Sequence, residues 1–294
     1  MKSFLSLACL LLSFQVLAGL KVKIVDIMEG DEFLLLASNG LVYELTSDDQ
    51  EVLDFAHYAK ENNLEVEIVK PLLNLDSVFD TRESVRTLKL DYTPDAQVAP
   101  KNLNKNLLNI PTPLDNYEVS DVSESQADRL FSSMRDDTRR KSQCYNRAHV
   151  WTYEMSQNFV NGSKLNLGKT WIFFTRKYIS DYKYKWWFHV APDIKVDNVH
   201  TVLDRKFLRG PINLRGWTDF FMQNKAECKV VEYYDEYSNN QEVESCYIIK
   251  SSMYYWQPYQ IEGLEDGDAE PKSWFNEQME IAGKNAVGRR WDRE

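Results

Sequence analysis

Apolar positions divide the chain into two patterned stretches separated by one without any sustained period. Residues 22–27 and 33–37 read as strands, and Ser38-Asn39-Gly40 supplies the turn chemistry of a hairpin leading into residues 41–45. Ser47 and Gln50 are spaced as a capping box for a helix carrying Val52, Leu53, Phe55, Ala56 and Ala59, which Asn62-Asn63 ends before an alternating strand over residues 64–69. Residues 19–90 are therefore expected to form a small α/β unit. Pro94, Pro100, Pro111 and Pro113 then stand among Asn, Lys and Asp, which predicts a linker over residues 91–122. Ser123 and Gln126 open a helix with Ala127, Leu130, Phe131 and Met134 on one face. A second helix follows, with Ser142 as its expected N-cap, Ala148, Trp151, Met155 and Phe159 at helical spacing, and an end near Asn161-Gly162. All eight tryptophans lie in the second stretch, residues 123–294, whose core should be rich in aromatic rings.

The start of the chain changes the picture. Met1-Lys2-Ser3, an apolar run over residues 4–17 and Ala18 read as a secretory signal peptide, residues 1–18, cut after Ala18. The run is too short for a comfortable membrane span, so a soluble chain, secreted or periplasmic and without stable membrane association, is expected. The formal net charge of -10 argues against a nucleic-acid partner, because nothing would offset phosphate repulsion. The basic cluster over residues 135–147 also contains Asp136 and Asp137 and reads as a solvated helix face or loop. Without the leader three cysteines remain, Cys144, Cys228 and Cys246, an odd number for an oxidising compartment. Cys228 and Cys246 flank strand-like runs around Ser238-Asn239-Asn240 and are the disulfide candidates across a hairpin, although a turn centred on Asn239 needs a bulge to align them.

Cys144 is then the unpaired thiol, placed in the first turn of the second helix. Backbone N–H groups and the positive end of the helix dipole favour thiolate there, and the same groups suit a developing oxyanion. The alternative is an inert buried thiol. A thiolate nucleophile needs a base, and there are four histidines. His57 lies in the first unit, His149 is five residues along the same helix on a different face, and His200 is in a turn-like stretch. His189 remains, at the end of Trp186-Trp187-Phe188-His189. It faces Asp204 if a hairpin is centred between Val196 and Asp197; a turn at Asp197-Asn198 would instead set His189 opposite Lys206. Asp193 and Asp197 are the rival carboxylates. No closely spaced Cys/His set suggests a metal site, and no cofactor is expected.

Cys144-Tyr145-Asn146-Arg147-Ala148-His149, the run from Trp186 through Pro192, Val202-Leu203-Asp204, Gly210-Pro211 and Trp217 resemble the bacterial protein-glutaminase family. The resemblance covers residues 123–294. It implies an α+β fold, with a papain- or transglutaminase-like catalytic domain whose Cys-bearing helix packs on an antiparallel sheet bearing His and Asp, preceded by the small α/β domain. It implies Cys144 as nucleophile, His189 as general base and acid and Asp204 as its orienter, with no cofactor. The partners implied are proteins or peptides bearing glutamine, whose side-chain amide is hydrolysed to glutamate and ammonia. Tyr145, Trp186 and Trp187 are candidates for the substrate cleft, with core packing as the alternative. The family is made as a precursor whose pro-segment covers the cleft, which assigns residues 19–122 that role or, on their own patterning, the role of an accessory domain. Transglutaminase-type acyl transfer, a cysteine peptidase or peptidoglycan amidase, and a catalytically silent binding module are the competing readings.

Overall fold

The structure is a computed structural model and describes residues 20–30, 33–45, 50–68, 84–85, 88–90, 118–139, 142–160, 163–262 and 274–293. The expected signal peptide, the Ser47 cap, most of the linker and Asn161-Gly162 lie outside them. In the first unit, β1 (Leu20–Met28), β2 (Phe33–Ala37) and β3 (Val42–Leu45) form an antiparallel meander. Helix α1 (Gln50–Glu61) and β4 (Glu65–Ile68) follow, then the short strands β5 (Ser84–Val85) and β6 (Leu88–Leu90). The sheet runs β5-β3-β2-β1-β4-β6. Val22, Ile24, Leu34, Leu36, Val66 and Ile68 are buried in it, and Ala56 and Ala59 of α1 add small residues that let the helix pack closely on β1. Asn63 ends α1 with a positive φ of 51°, as an Asn at a helix end can.

The second unit is built on a larger sheet. Its elements in order are β7 (Asp121–Val122), α2 (Glu124–Ser133), α3 (Cys144–Ser156), the small hairpin β8 (Phe159–Val160) and β9 (Ser163–Lys164), β10 (Gly168–Phe174) and α4 (Arg176–Asp181). After these come β11 (Phe188–Val196), β12 (Val199–Val202), β13 (Ile212–Asn213), α5 (Leu214–Met222), β14 (Lys229–Val230), α6 (Tyr234–Ser238), β15 (Cys246–Ser252), α7 (Pro258–Glu262) and α8 (Phe275–Ala286). The strand order is β13-β12-β11-β10-β15-β14, with β7 parallel to the end of β11. The protein is thus a mixed α+β molecule in which the Cys-bearing α3 packs on the sheet and α8 packs on α3. The sheet takes in β7, ahead of residue 123, and Ser120 bonds to both Asn166 and Lys195 through the backbone.

The capping box on α2 forms as expected, with Ser123 N donating to Gln126 Oε1 at 2.8 Å. Three other details differ from the patterning. Helix α3 is capped by Gln143, not Ser142, whose hydroxyl instead donates to the Arg139 carbonyl at 2.7 Å. It stops at Ser156, because Asn158 folds its amide back onto the Glu154 and Met155 carbonyls and Phe159 begins a strand. Two residues of the basic cluster are not on a solvated face, since Arg147 is buried and Arg135 is paired with Asp137 and Glu154, whereas Arg139 is exposed as expected and Arg140 and Lys141 lie outside the described residues.

Cys228 and Cys246 form a disulfide, but not across a hairpin. Residues 234–238 coil into α6, and β14 runs parallel to β15 with Lys229 opposite Tyr247 and Val230 opposite Ile248. That register carries Cys228 to Cys246 one step earlier, so no bulge is required. The bond closes an 18-residue separation. Replacing both cysteines by serine is expected to lower stability by roughly 3 kcal/mol on the chain-entropy account, read as a fall in the denaturation midpoint, while leaving Cys144 as the free thiol.

The two units meet through the first hairpin. Val42 N donates to the Lys185 carbonyl at 2.7 Å, Trp187 N to the Gly40 carbonyl at 3.0 Å, and Trp187 Nε1 to the Ala37 carbonyl at 2.7 Å. Leu41 bridges Trp186, so the hairpin adds itself to the segment just before β11. At its tip Asn39 Oδ1 accepts from Leu41 N at 3.0 Å and Gly40 takes a φ of +84°, a conformation glycine adopts without strain. A Cβ there would lie 3.1 Å from the Phe188 ring, so position 40 is constrained twice.

Candidate active site

Cys144 is the first residue of α3, its thiol is free, and it is buried. Gln143 before it is extended at φ -69° and ψ 151°, and no side chain caps the helix. Arg147, one turn on, reaches back to donate to the Ser142 carbonyl, which holds the entry to α3 in place.

His189 and Asp204 meet at 2.7 Å, Nε2 to Oδ2, and both are buried. The route to this contact is not the ladder register that would set them opposite one another. The turn sits at Asp197-Asn198, both with positive φ of 51° and 63°, and Val196 pairs with Val199 and Asp193 with Val202. Continued, that register would place His189 opposite Lys206. Strand β12 ends at Val202 instead, and after Leu203 N donates to the Pro192 carbonyl at 2.9 Å the chain turns, bringing Asp204 across to the ring. The rival Asp193 is engaged by His200 at 2.6 Å, within β12 rather than a turn, and Asp197 is in the tight turn itself.

Trp217, on α5, donates its indole N–H to the same Asp204 Oδ2 at 3.2 Å. The resemblance includes this tryptophan without giving it a role; the contact shows only once α5 lies beside β12. The His189 ring is walled by Phe221 at 4.5 Å, Phe207 at 5.2 Å, Trp217 at 5.8 Å and Trp186 at 6.0 Å between centroids. Burial, the largest influence, acts to lower the pKa of the ring. The Asp204 charge and hydrogen bond, joined by the Cys144 thiol, outweigh it and raise the pKa to about 9. With Nε2 committed to Asp204, Nδ1 has no oxygen or nitrogen partner and is the nitrogen available to the thiol.

Tyr145, Trp186 and Trp187 are all buried. Tyr145 stacks on Phe188 at 6.3 Å and meets Trp256 edge-on at 5.9 Å, and burial followed by the neighbouring Cys144 pushes its hydroxyl pKa up. Trp186 and Trp187 lie under the docked hairpin. His149 faces away from the site, bonded through Nδ1 to the buried Lys169 at 2.7 Å, and burial lowers the pKa of both. Among the described residues no group of three His, Cys, Asp or Glu could hold a metal ion, and no helix is long and apolar enough to cross a membrane.

Residues 123–221, which contain Cys144, His189, Asp204 and Trp217, match a family model described as glutaminase. The match spans 99 of the 294 residues of the chain. No curated protein matches the chain. Among solved structures the chain is similar to a mutant of pro-protein-glutaminase at 17% identity, over 82% of this chain and 85% of that one with a TM-score of 0.46. It is also similar to pro-protein-glutaminase at 15% identity, over 88% and 92% with a TM-score of 0.43. The protein-glutaminase of Chryseobacterium proteolyticum is similar at 17% identity, over 48% of this chain and 79% of that one with a TM-score of 0.31.

Proposed function

We propose that the protein is an exported protein-glutamine glutaminase, hydrolysing glutamine side-chain amides in proteins through a thioester on Cys144. The observation that carries this reading is the buried His189–Asp204 pair beside a free thiol at a helix start, all within the stretch that matches the glutaminase family. His189 takes the Cys144 proton, and Sγ attacks the carboxamide carbon. The tetrahedral intermediate collapses as the C–N bond breaks, His189 returns the proton to the leaving nitrogen, and ammonia departs. Water, deprotonated by the same imidazole, attacks the thioester carbonyl; the C–S bond breaks, giving glutamate and free thiol. Asp204 keeps the ring oriented and balances its charge, and Trp217 keeps Asp204 oriented. Water is the sole co-reactant.

The docked first hairpin makes this form a closed one. With Gly40 against Phe188, Leu41 against Trp186 and Cys144 buried, the part of residues 19–122 ahead of Glu118 is proposed to act as an inhibitory pro-segment that bars a protein segment from Cys144. Trp186, Trp187 and Tyr145 then become cleft residues on its departure. The leader assigns the product to the periplasm or the medium.

The reading is tested by incubating the chain carrying Gly40→Val, which disfavours the docked hairpin, with a glutamine-rich protein substrate. Ammonia release with a gain of about 1 Da per event and no chain cleavage is the expected result. New chain termini would replace the reading with a peptidase, and stable incorporation of an added primary amine in place of deamidation would replace it with a transglutaminase.

A further inference from the structure

A line of side-chain hydrogen bonds ends beside the nucleophile. Trp256 Nε1 donates to Asn146 Oδ1 at 3.0 Å, and Asn146 Nδ2 donates to Gln143 Oε1 at 2.9 Å. Indole N–H is a donor only, so it selects the carbonyl of the Asn146 amide and turns the NH2 of that amide towards Gln143. That NH2 in turn selects the carbonyl of Gln143, so Nε2 of Gln143 is the end of the line. It has no hydrogen-bond partner among the described residues. The root of the line is firm: Trp256 N donates to Gln260 Oε1 at 2.5 Å, and the Trp256 ring lies against Tyr145 and His149. Asn146 and Trp256 are buried, whereas Gln143 is half-buried and open to a ligand. Nor is the Gln143 side chain engaged in capping α3, whose first residue is Cys144.

We propose that Gln143 is a catalytic residue whose Nε2 donates to the oxyanion of the tetrahedral intermediate on Cys144. The proposal rests on the glutaminase reading above. As Sγ bonds to the carboxamide carbon, the carbonyl π pair moves onto oxygen, and a donor already held in orientation stabilises that charge without reorganising. When the C–N bond breaks and His189 protonates the leaving nitrogen, the carbonyl re-forms and the demand on Gln143 relaxes. Asn146 and Trp256 are positioning residues that fix which end of the Gln143 amide is presented.

The test uses the full chain carrying Gly40→Val to free the docked hairpin, with and without Gln143→Glu and Asn146→Asp, scoring ammonia release from a blocked glutamine peptide and alkylation of Cys144 by iodoacetamide. Alkylation is a displacement at saturated carbon and builds no oxyanion. Gln143→Glu replaces the donor by oxygen and is expected to lower kcat about 10²-fold with KM little changed and alkylation unaltered. Asn146→Asp keeps the acceptor for Trp256 but sets an oxygen against Gln143 Oε1, turning the amide over, and is expected to lower kcat while Gln143 itself is intact. Unchanged kcat in both variants overturns the proposal. A parallel fall in kcat and alkylation also overturns it, since the residues would then only hold the helix. A Gly40→Val chain without either substitution that is alkylated yet releases no ammonia overturns the glutaminase reading, and this proposal with it.

Discussion

Cys144→Ala is expected to abolish ammonia release, and Asp204→Asn to lower kcat by about 10⁴-fold with the fold intact. The first removes the atom that forms the thioester; nothing else among the described residues beside His189 offers a free thiol. The second leaves a side chain of the same shape bonded to Trp217 but takes away the charge that holds the imidazolium. The pH profile separates these causes. In the intact protein the His189 pKa stands at about 9, above its ordinary 6.5. The stabilisation this gives the folded state is therefore complete below about pH 6.5 and is lost as the pH rises through about 9. In Asp204→Asn burial acts without the opposing carboxylate, the ring is neutral at lower pH, and the alkaline limb of kcat/KM should move down. A profile unmoved in Asp204→Asn, with kcat near that of the unsubstituted chain, would show that the carboxylate does not orient the base. The double variant Cys144→Ala, Asp204→Asn should be no worse than Cys144→Ala alone, because residues acting as one unit are not additive.

How far the sequence carried depended on whether a feature was local. Strands β1 to β3, α1 and α2 are written in alternation, helical spacing and turn residues that act within a few positions, and they were legible to within two residues of their ends, outside the cap of α1. The candidate triad was read by elimination and resemblance, since few histidines competed, and the structure brings His189 and Asp204 into contact. The reason given by ladder register was not the one the fold uses: positive φ at Asp197 and Asn198 sets the turn one residue further than the alignment of His189 with Asp204 requires, and the chain recovers the contact after β12. Disulfide pairing was legible from counting cysteines, but the parallel register that brings Cys228 to Cys246 depends on residues 234–238 coiling, a decision made by packing of Tyr234 and Tyr237 against Phe173. Trp217 on Asp204 and Trp256 on Asn146 join residues 13 and 110 positions apart, and no spacing rule reaches that far. Arg147 and Arg135 were misread as solvated because charge runs usually are, whereas here carbonyls and carboxylates brought in from other turns satisfy them.

Freeing the hairpin should raise activity on protein substrates by at least about ten-fold, and the fold dictates where to cut. A chain beginning at residue 123 would lose β7, whose strand pairs with β11, and the Ser120 bonds to Asn166 and Lys195. A start just before Glu118 keeps the catalytic sheet whole while removing the hairpin. Excision also bares the Lys185–Trp187 backbone that Gly40 and Val42 now satisfy, so the fragment is expected to be less stable. A substitution that leaves the chain intact avoids that difficulty. Gly40→Val imposes a β-branched residue at a φ of +84° and drives its Cβ to 3.1 Å from Phe188, both of which disfavour the docked hairpin and neither of which touches the triad. If the first unit is inhibitory, Gly40→Val and the fragment should both hydrolyse large protein substrates faster, with the gain greater for a folded protein than for a short glutamine peptide. If it is instead a substrate-binding accessory domain, both changes should raise KM for protein substrates and leave the short peptide unaffected. The sign of the effect on protein substrates decides between the two roles, because a cover and a binding platform at the same Trp186–Phe188 seat act on access in opposite directions.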